Sequence, residues 1–192
     1  MMLSLKNNPA LLLIDIQKGF DDIAYWGGER NNPEAEIRAG ELLGLWRRHR
    51  LPLFHIQHCS SIPTSLLNEK FPGNDFKDIV RPDSDEPVVR KNVNSAFIGT
   101  DLHEQLQRRG INTVVIVGLT TDHCISTTTR MAGNLGYQAY LVADATATFN
   151  KTGFDGKTYS ADLIHETALA SLHDEFAVVV NSDFIKGIFA TS

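Results

Sequence analysis

Cys124 lies in the stretch Gly118-Leu119-Thr120-Thr121-Asp122-His123-Cys124-Ile125, directly after the apolar run Thr113-Val114-Val115-Ile116-Val117. A β-branched run, a short turn and a helix start put this thiol at the carboxyl end of a buried strand and at a helix N-terminus. Unsatisfied backbone N–H groups and the positive end of the helix dipole favour thiolate over thiol there. A thiol that attacks a carbonyl at neutral pH needs a base for its proton or a cation for its thiolate. Two residues offer these. Asp15 follows the apolar run Ala10–Ile14, at the mouth of a core where desolvation raises carboxylate basicity. Lys91 follows Val88-Val89-Arg90, and a lysine in a buried strand is unusual unless it is paired. Taken singly, each residue also has an ordinary reading: a turn aspartate, a solvated lysine, a cysteine that packs as a small core hydrophobe.

The three side chains meet only if the strands that carry them are neighbours. Apolar runs predict strands over residues 10–14, 51–56, 88–91, 113–117, 137–143 and 177–180. Between them, helical spacing covers residues 33–50 (Ile37, Leu42, Leu43, Leu45, Trp46), 100–109, 122–135 and part of 159–176. Gly110 and Gly136 follow two of these segments, as C-cap glycines do. The alternation implies an α/β fold: one doubly wound, mainly parallel six-stranded sheet with helices on both faces. In the order 3-2-1-4-5-6, ligands bind beyond the carboxyl ends of strands one and four, where the order reverses. Asp15 ends strand one and strand four leads to Cys124. Residues 57–87 hold four prolines (Pro63, Pro72, Pro82, Pro87) and read as a lid or binding loop.

A chain of 192 residues suits a single domain over residues 1–192 with a substantial core. Apolar content of 42% and charged content of 21% are globular values. The net charge is −5, and the basic cluster Arg47-Arg48-His49-Arg50 closes a helix, so nucleic acid is not an expected partner. No apolar run approaches the ~20 residues of a membrane span. The first residues lack a signal-peptide pattern, which makes the cytoplasm the expected compartment. Two cysteines form neither a disulfide framework nor a zinc-ribbon spacing.

Three motifs in order resemble those of the isochorismatase-like cysteine hydrolases, which include nicotinamidases, N-carbamoylsarcosine amidase and ureidoacrylate hydrolases. They are Leu11-Leu12-Leu13-Ile14-Asp15-Ile16-Gln17, Arg90-Lys91-Asn92-Val93-Asn94-Ser95-Ala96-Phe97 and Gly118-Leu119-Thr120-Thr121-Asp122-His123-Cys124. The resemblance covers nearly the whole chain. It implies an Asp15–Lys91–Cys124 triad, a covalent acyl- or carbamoyl-enzyme, and an oxyanion held by the backbone N–H groups of Thr120 and Cys124. It also implies a cis peptide bond at Leu119-Thr120, a homodimer or homotetramer, and a small-molecule substrate. Retention of the cysteine favours hydrolysis of a C–N bond over the vinyl-ether hydrolysis of relatives that lack it.

Nicotinamidases carry an Asp-x-His metal site after the second strand. Here His58 stands in place of that aspartate and Ser60 in place of the histidine, so no metal or other cofactor is expected. His55 and His58, three apart in an extended segment, point to opposite faces, and His58 is expected to line the pocket mouth or hydrogen-bond a loop. Phe20, Trp26, Asn94, Phe97, Thr121 and Phe149 are the candidate walls of a small, largely apolar pocket, with specificity in loops 20–33 and 57–87. His123 is left out of the triad, because adjacent helix positions do not face each other. Two other functions compete. One is a redox protein with Cys124 peroxidatic and Cys59 resolving; the other is a binding protein whose triad does not turn over.

Overall fold

The computed structural model describes residues 3–190. Strand β1 (Ala10–Ile14) starts the sheet, and a short 3-10 turn (Lys18–Asp21) and helix α1 (Ile23–Trp26) follow it. Helix α2 (Ala35–Arg48) leads to β2 (Leu53–His58), and β3 (Val88–Lys91) follows a long loop with two further 3-10 turns. Helix α3 (Leu102–Arg108), strand β4 (Thr113–Leu119) and helix α4 (Ser126–Asn134) come next. After β5 (Gln138–Ala147) come a short hairpin, β6 (Lys151–Thr152) and β7 (Thr158–Tyr159), then α5 (Ala161–Leu172), β8 (Val178–Val180) and α6 (Ser182–Ala190). The main sheet has six strands, all parallel, in the order β3-β2-β1-β4-β5-β8. This is the expected order, with β8 as its sixth strand. The hairpin and α6 were not expected from the sequence.

Alternation along each strand sorts the core into two layers. Ala10, Leu12 and Ile14 of β1, with Val114 and Ile116 of β4, pack with Leu102, Leu106, Ile125, Ala132 and Leu172. Leu11, Leu13, Val115 and Val117 pack on the other face against Leu42, Leu43 and Trp46 of α2 and Ile185 and Phe189 of α6. Burial on both faces explains why these strands read as continuous apolar runs. A third cluster joins Phe20, Ala35, Leu67, Leu119, Ala147 and Phe149, and Trp26 packs against it. It lies beyond the strand ends that hold Asp15 and Cys124.

Candidate active site

Asp15 is the first residue after β1 and is fully buried. Its φ of +52° is left-handed, a region that aspartate enters more readily than most residues. On β3, burial alternates so that Val89 and Lys91 face inward. The parallel register sets Lys91 opposite His58 of β2, and the lysine reaches past β2 to Asp15 at the end of β1. Cys124 lies in a π-helical turn (Thr121–Ile125) between β4 and α4, not in a regular helix start as the sequence pattern suggested. The peptide bond at Leu119-Thr120 is cis, as the resemblance implied.

The Lys91 ammonium is the hub of the site. Its Nζ lies 2.7 Å from Asp15 Oδ2, 3.1 Å from His58 Nδ1, 3.2 Å from the Val93 carbonyl and 3.3 Å from Cys124 Sγ. The other oxygen of Asp15 is buried and has no hydrogen-bond partner. Cys124 also makes a longer contact, 3.8 Å, with Asn94 Oδ1.

Burial and then the Asp15 charge push the Cys124 thiol well above its ordinary range, and Lys91 only partly offsets them. The helix-end depression expected from the sequence is therefore outweighed by desolvation next to a carboxylate. Cys124 therefore rests as a thiol beside a carboxylate. Burial works against the charge on Lys91, but the Asp15 carboxylate holds it firmly protonated. Burial and Lys91 together lower His58, which is neutral at physiological pH.

A crevice of about 90 Å³ opens over the thiol, lined by Phe20, Trp26, His58, Leu67, Asn94, Thr120, His123, Cys124 and Lys151. Phe20 and Trp26 stack with centroids 4.6 Å apart, and the Trp26 indole N–H donates to the Gly19 carbonyl at 2.7 Å. Phe97, Thr121 and Phe149 do not line it. Phe97 packs in the core and stacks on Tyr137, the Thr121 hydroxyl is taken by His165 Nδ1 at 2.8 Å, and Phe149 is sealed behind Phe20 and Trp26. His123 and Lys151 line it without having been singled out as pocket residues. His123 had been weighed only as a base; Lys151 is carried in by the unforeseen hairpin.

Cys59 lines a different crevice, with Glu69, Arg90, Lys91, Asn92 and Gly99. Burial and then Glu69 raise its thiol, the opposite of an activated cysteine. His55, on the other face of β2, is fully buried against Glu86 at 2.8 Å.

Among the described residues, Asp15, His58 and Cys124 offer ligand atoms within 4.8 Å of one another. Lys91 Nζ approaches all three, so the chain has its own cation at their centre. His58 Nδ1 is turned to that ammonium, and no carboxylate stands at the nicotinamidase metal position. These residues do not fit a nicotinamidase-type metal.

A sequence model of the isochorismatase domain matches residues 9–184. The isochorismatase-family protein YrdC of Bacillus subtilis (strain 168) is 48% identical over 179 residues, covering 93% of this chain and 95% of that protein. Nicotinamidase 3 of Arabidopsis thaliana is 31% identical over 193 residues, covering 92% and 86%. A crystal structure of an isochorismatase-family protein from Chromobacterium violaceum superposes with a TM-score of 0.92 at 41% identity, covering 97% of this chain and 95% of that one. Motif order, fold and relatives agree, and the chain belongs to the isochorismatase family of hydrolases.

Proposed function

We propose that the protein hydrolyses the C–N bond of a small amide, carbamoyl or ureido compound through a thioester-type intermediate on Cys124. The observation that carries this reading is the single ammonium of Lys91 within hydrogen-bond reach of both the Asp15 carboxylate and the Cys124 sulfur. Similarity to a nicotinamidase, by its name an amidase, supports the same class. The crevice is far below the ~300–1,000 Å³ of drug-sized pockets, which suits a small substrate group.

In the first half-reaction Asp15 takes the thiol proton as Sγ bonds to the carbonyl carbon, and the carbonyl π pair moves onto oxygen. Backbone N–H groups of Thr120 and Cys124 receive that oxyanion; each such donor contributes ~2.7–4 kcal/mol. The carbonyl re-forms, the C–N bond breaks, and the leaving nitrogen takes the proton from Asp15. In the second half, water gives a proton to Asp15 and its hydroxyl adds to the thioester carbon. Collapse expels the thiolate, which takes its proton back. An amide yields a carboxylic acid, and a carbamoyl or ureido group yields a carbamate. Lys91 stays charged throughout and balances whichever of Asp15 or Cys124 is anionic.

The test is ammonia release from a panel of primary amides, carbamoyl compounds and ureido acids, with Cys124→Ala as control. Release by the native protein and none by the variant is the expected result. No release from any member of the panel sinks the proposal.

A further inference from the structure

An ammonium has three hydrogens, and Lys91 faces four acceptor atoms. While Cys124 keeps its own proton, Asp15, His58 and Val93 take all three. The contact to His58 has a strict consequence for the ring. Lys91 can only donate, so Nδ1 of His58 must accept, and the proton of the neutral imidazole must sit on Nε2. The Val93 carbonyl also approaches the ring, and it accepts a hydrogen bond from the same ammonium at 3.2 Å.

The backbone that carries the ring is held in place from behind. The His58 N–H donates to Gln17 Oε1 at 2.9 Å, and its carbonyl accepts from Gln17 Nε2 at 3.0 Å and Asn74 Nδ2 at 2.9 Å. Gln17 and Asn74 are themselves buried. Among the described residues Nε2 has no partner, and His58 forms part of the crevice wall beside Cys124. One of its ring nitrogens lies within 4.8 Å of Sγ. A donor without a partner, in the wall of the crevice that opens over the thiol, is what a binding site offers to an acceptor on its ligand.

We propose that His58 binds the substrate, its Nε2–H donating to an acceptor atom adjacent to the scissile carbonyl. This rests on the hydrolase reading above and narrows it. The preferred substrate carries a second acceptor beside the reacting group, as a ureido acid or an amide with a neighbouring carbonyl does, and a plain alkyl amide does not. The charged and titratable groups around the ring are Lys91 on β3, Asp15 after β1, and Cys124 and His123 in the π-helical turn, with Lys151 of the hairpin across the crevice.

Two measurements test it. Nitrogen NMR of the imidazoles in the intact protein, with His58→Gln to assign the signal, is expected to give an unprotonated Nδ1 and a protonated Nε2 for His58 at pH 7. The opposite tautomer, or a doubly protonated ring, overturns the proposal whatever the activity. Steady-state kinetics of His58→Phe and His58→Gln then compare an acceptor-bearing amide with a plain one. The Phe variant is expected to lose roughly 10–100-fold more kcat/KM on the acceptor-bearing substrate, the effect of one lost hydrogen bond beside a buried group. Gln, whose amide can both accept from Lys91 and donate, is expected to restore most of that difference. Equal losses on both substrates overturn the binding role and leave a structural one. A native enzyme that hydrolyses no amide sinks the parent reading and this proposal with it, whereas turnover indifferent to the second acceptor sinks this proposal alone.

Discussion

At the residue scale, Asp15 has two opposed effects on Cys124. Its negative charge makes the thiol harder to ionise, and its free oxygen is the atom that can accept the thiol proton. These effects separate in Asp15→Asn. Removing the carboxylate lowers the thiol's proton affinity, so alkylation of Cys124 by iodoacetamide at a fixed alkaline pH is expected to become faster. Turnover is expected to fall by ~10²–10⁴, the usual contribution of a positioned general base. Slower alkylation would mean that Asp15 does not hold the thiol protonated. Lys91→Met is a harsher change, because it leaves Asp15 as a buried charge with no counter-ion. Breaking a buried pair costs ~3–5 kcal/mol, which urea denaturation would read as an earlier midpoint. Asp15 and Lys91 were legible in the sequence because each is a charged residue at the end of an apolar run. His58 was legible as a substitution at a metal position that lines the pocket mouth, as it does; its contact with Lys91 depends on the β2–β3 register.

At the scale of elements, the site depends on how closely β4 can approach β1. Gly118 has φ +126°, and a Cβ there would lie 2.0 Å from the Ile14 carbonyl oxygen. Gly118→Ala is therefore expected to destabilise the fold by about 3 kcal/mol or more and to displace the turn that carries Cys124. Chemical denaturation and residual activity measure the two effects; an unchanged midpoint would contradict the close approach. Hydrophobic runs identified the six sheet strands, and helical periodicity identified α2 to α5. The pattern did not expose the β6–β7 hairpin, whose paired strands are two residues each, too short for an alternation to register. It also passed over α6, where Gly187 interrupts a nine-residue segment.

Across the whole molecule, a second, half-buried charge cluster ties α2, β2 and the loop before β3 together. Glu86 accepts from Arg47 Nε at 2.7 Å and from His55 Nε2 at 2.8 Å. Burial alone would raise the Glu86 carboxyl, but hydrogen bonds from Arg47, the Asp83 N–H and His55 bring it down to about 2. Burial lowers His55, and Glu86 offsets this only in part. Both folded-state values lie below the ordinary ones, so both groups bind protons more tightly when unfolded and acid destabilises the fold. The His55 contribution is present above its ordinary value of 6.5 and is lost as pH falls below it. The Glu86 contribution is present above 4.5 and is lost as pH falls from there to about 2. Thermal melts of Glu86→Gln are expected to start lower at neutral pH and to show a shallower decline between pH 4.5 and about 2. A decline as steep as the native protein's would assign the acid sensitivity elsewhere. No helix among the described residues is long and apolar enough to cross a membrane.

Read alone, the sequence determined the strands of the sheet and singled out Asp15, Lys91 and Cys124, because these follow from local runs and from the rule that ligands meet the strand ends where the order reverses. Tertiary structure decided the charge states and the walls of the crevice. The Cys124 thiol is raised because burial and Asp15 act together on it, although a turn before a helix pattern argues for the opposite. Phe97, Thr121 and Phe149 pack away from the crevice while His58, Leu67, His123 and Lys151 line it. Desolvation and contact across distant loops are sums over neighbours in space, and spacing along the chain does not contain them.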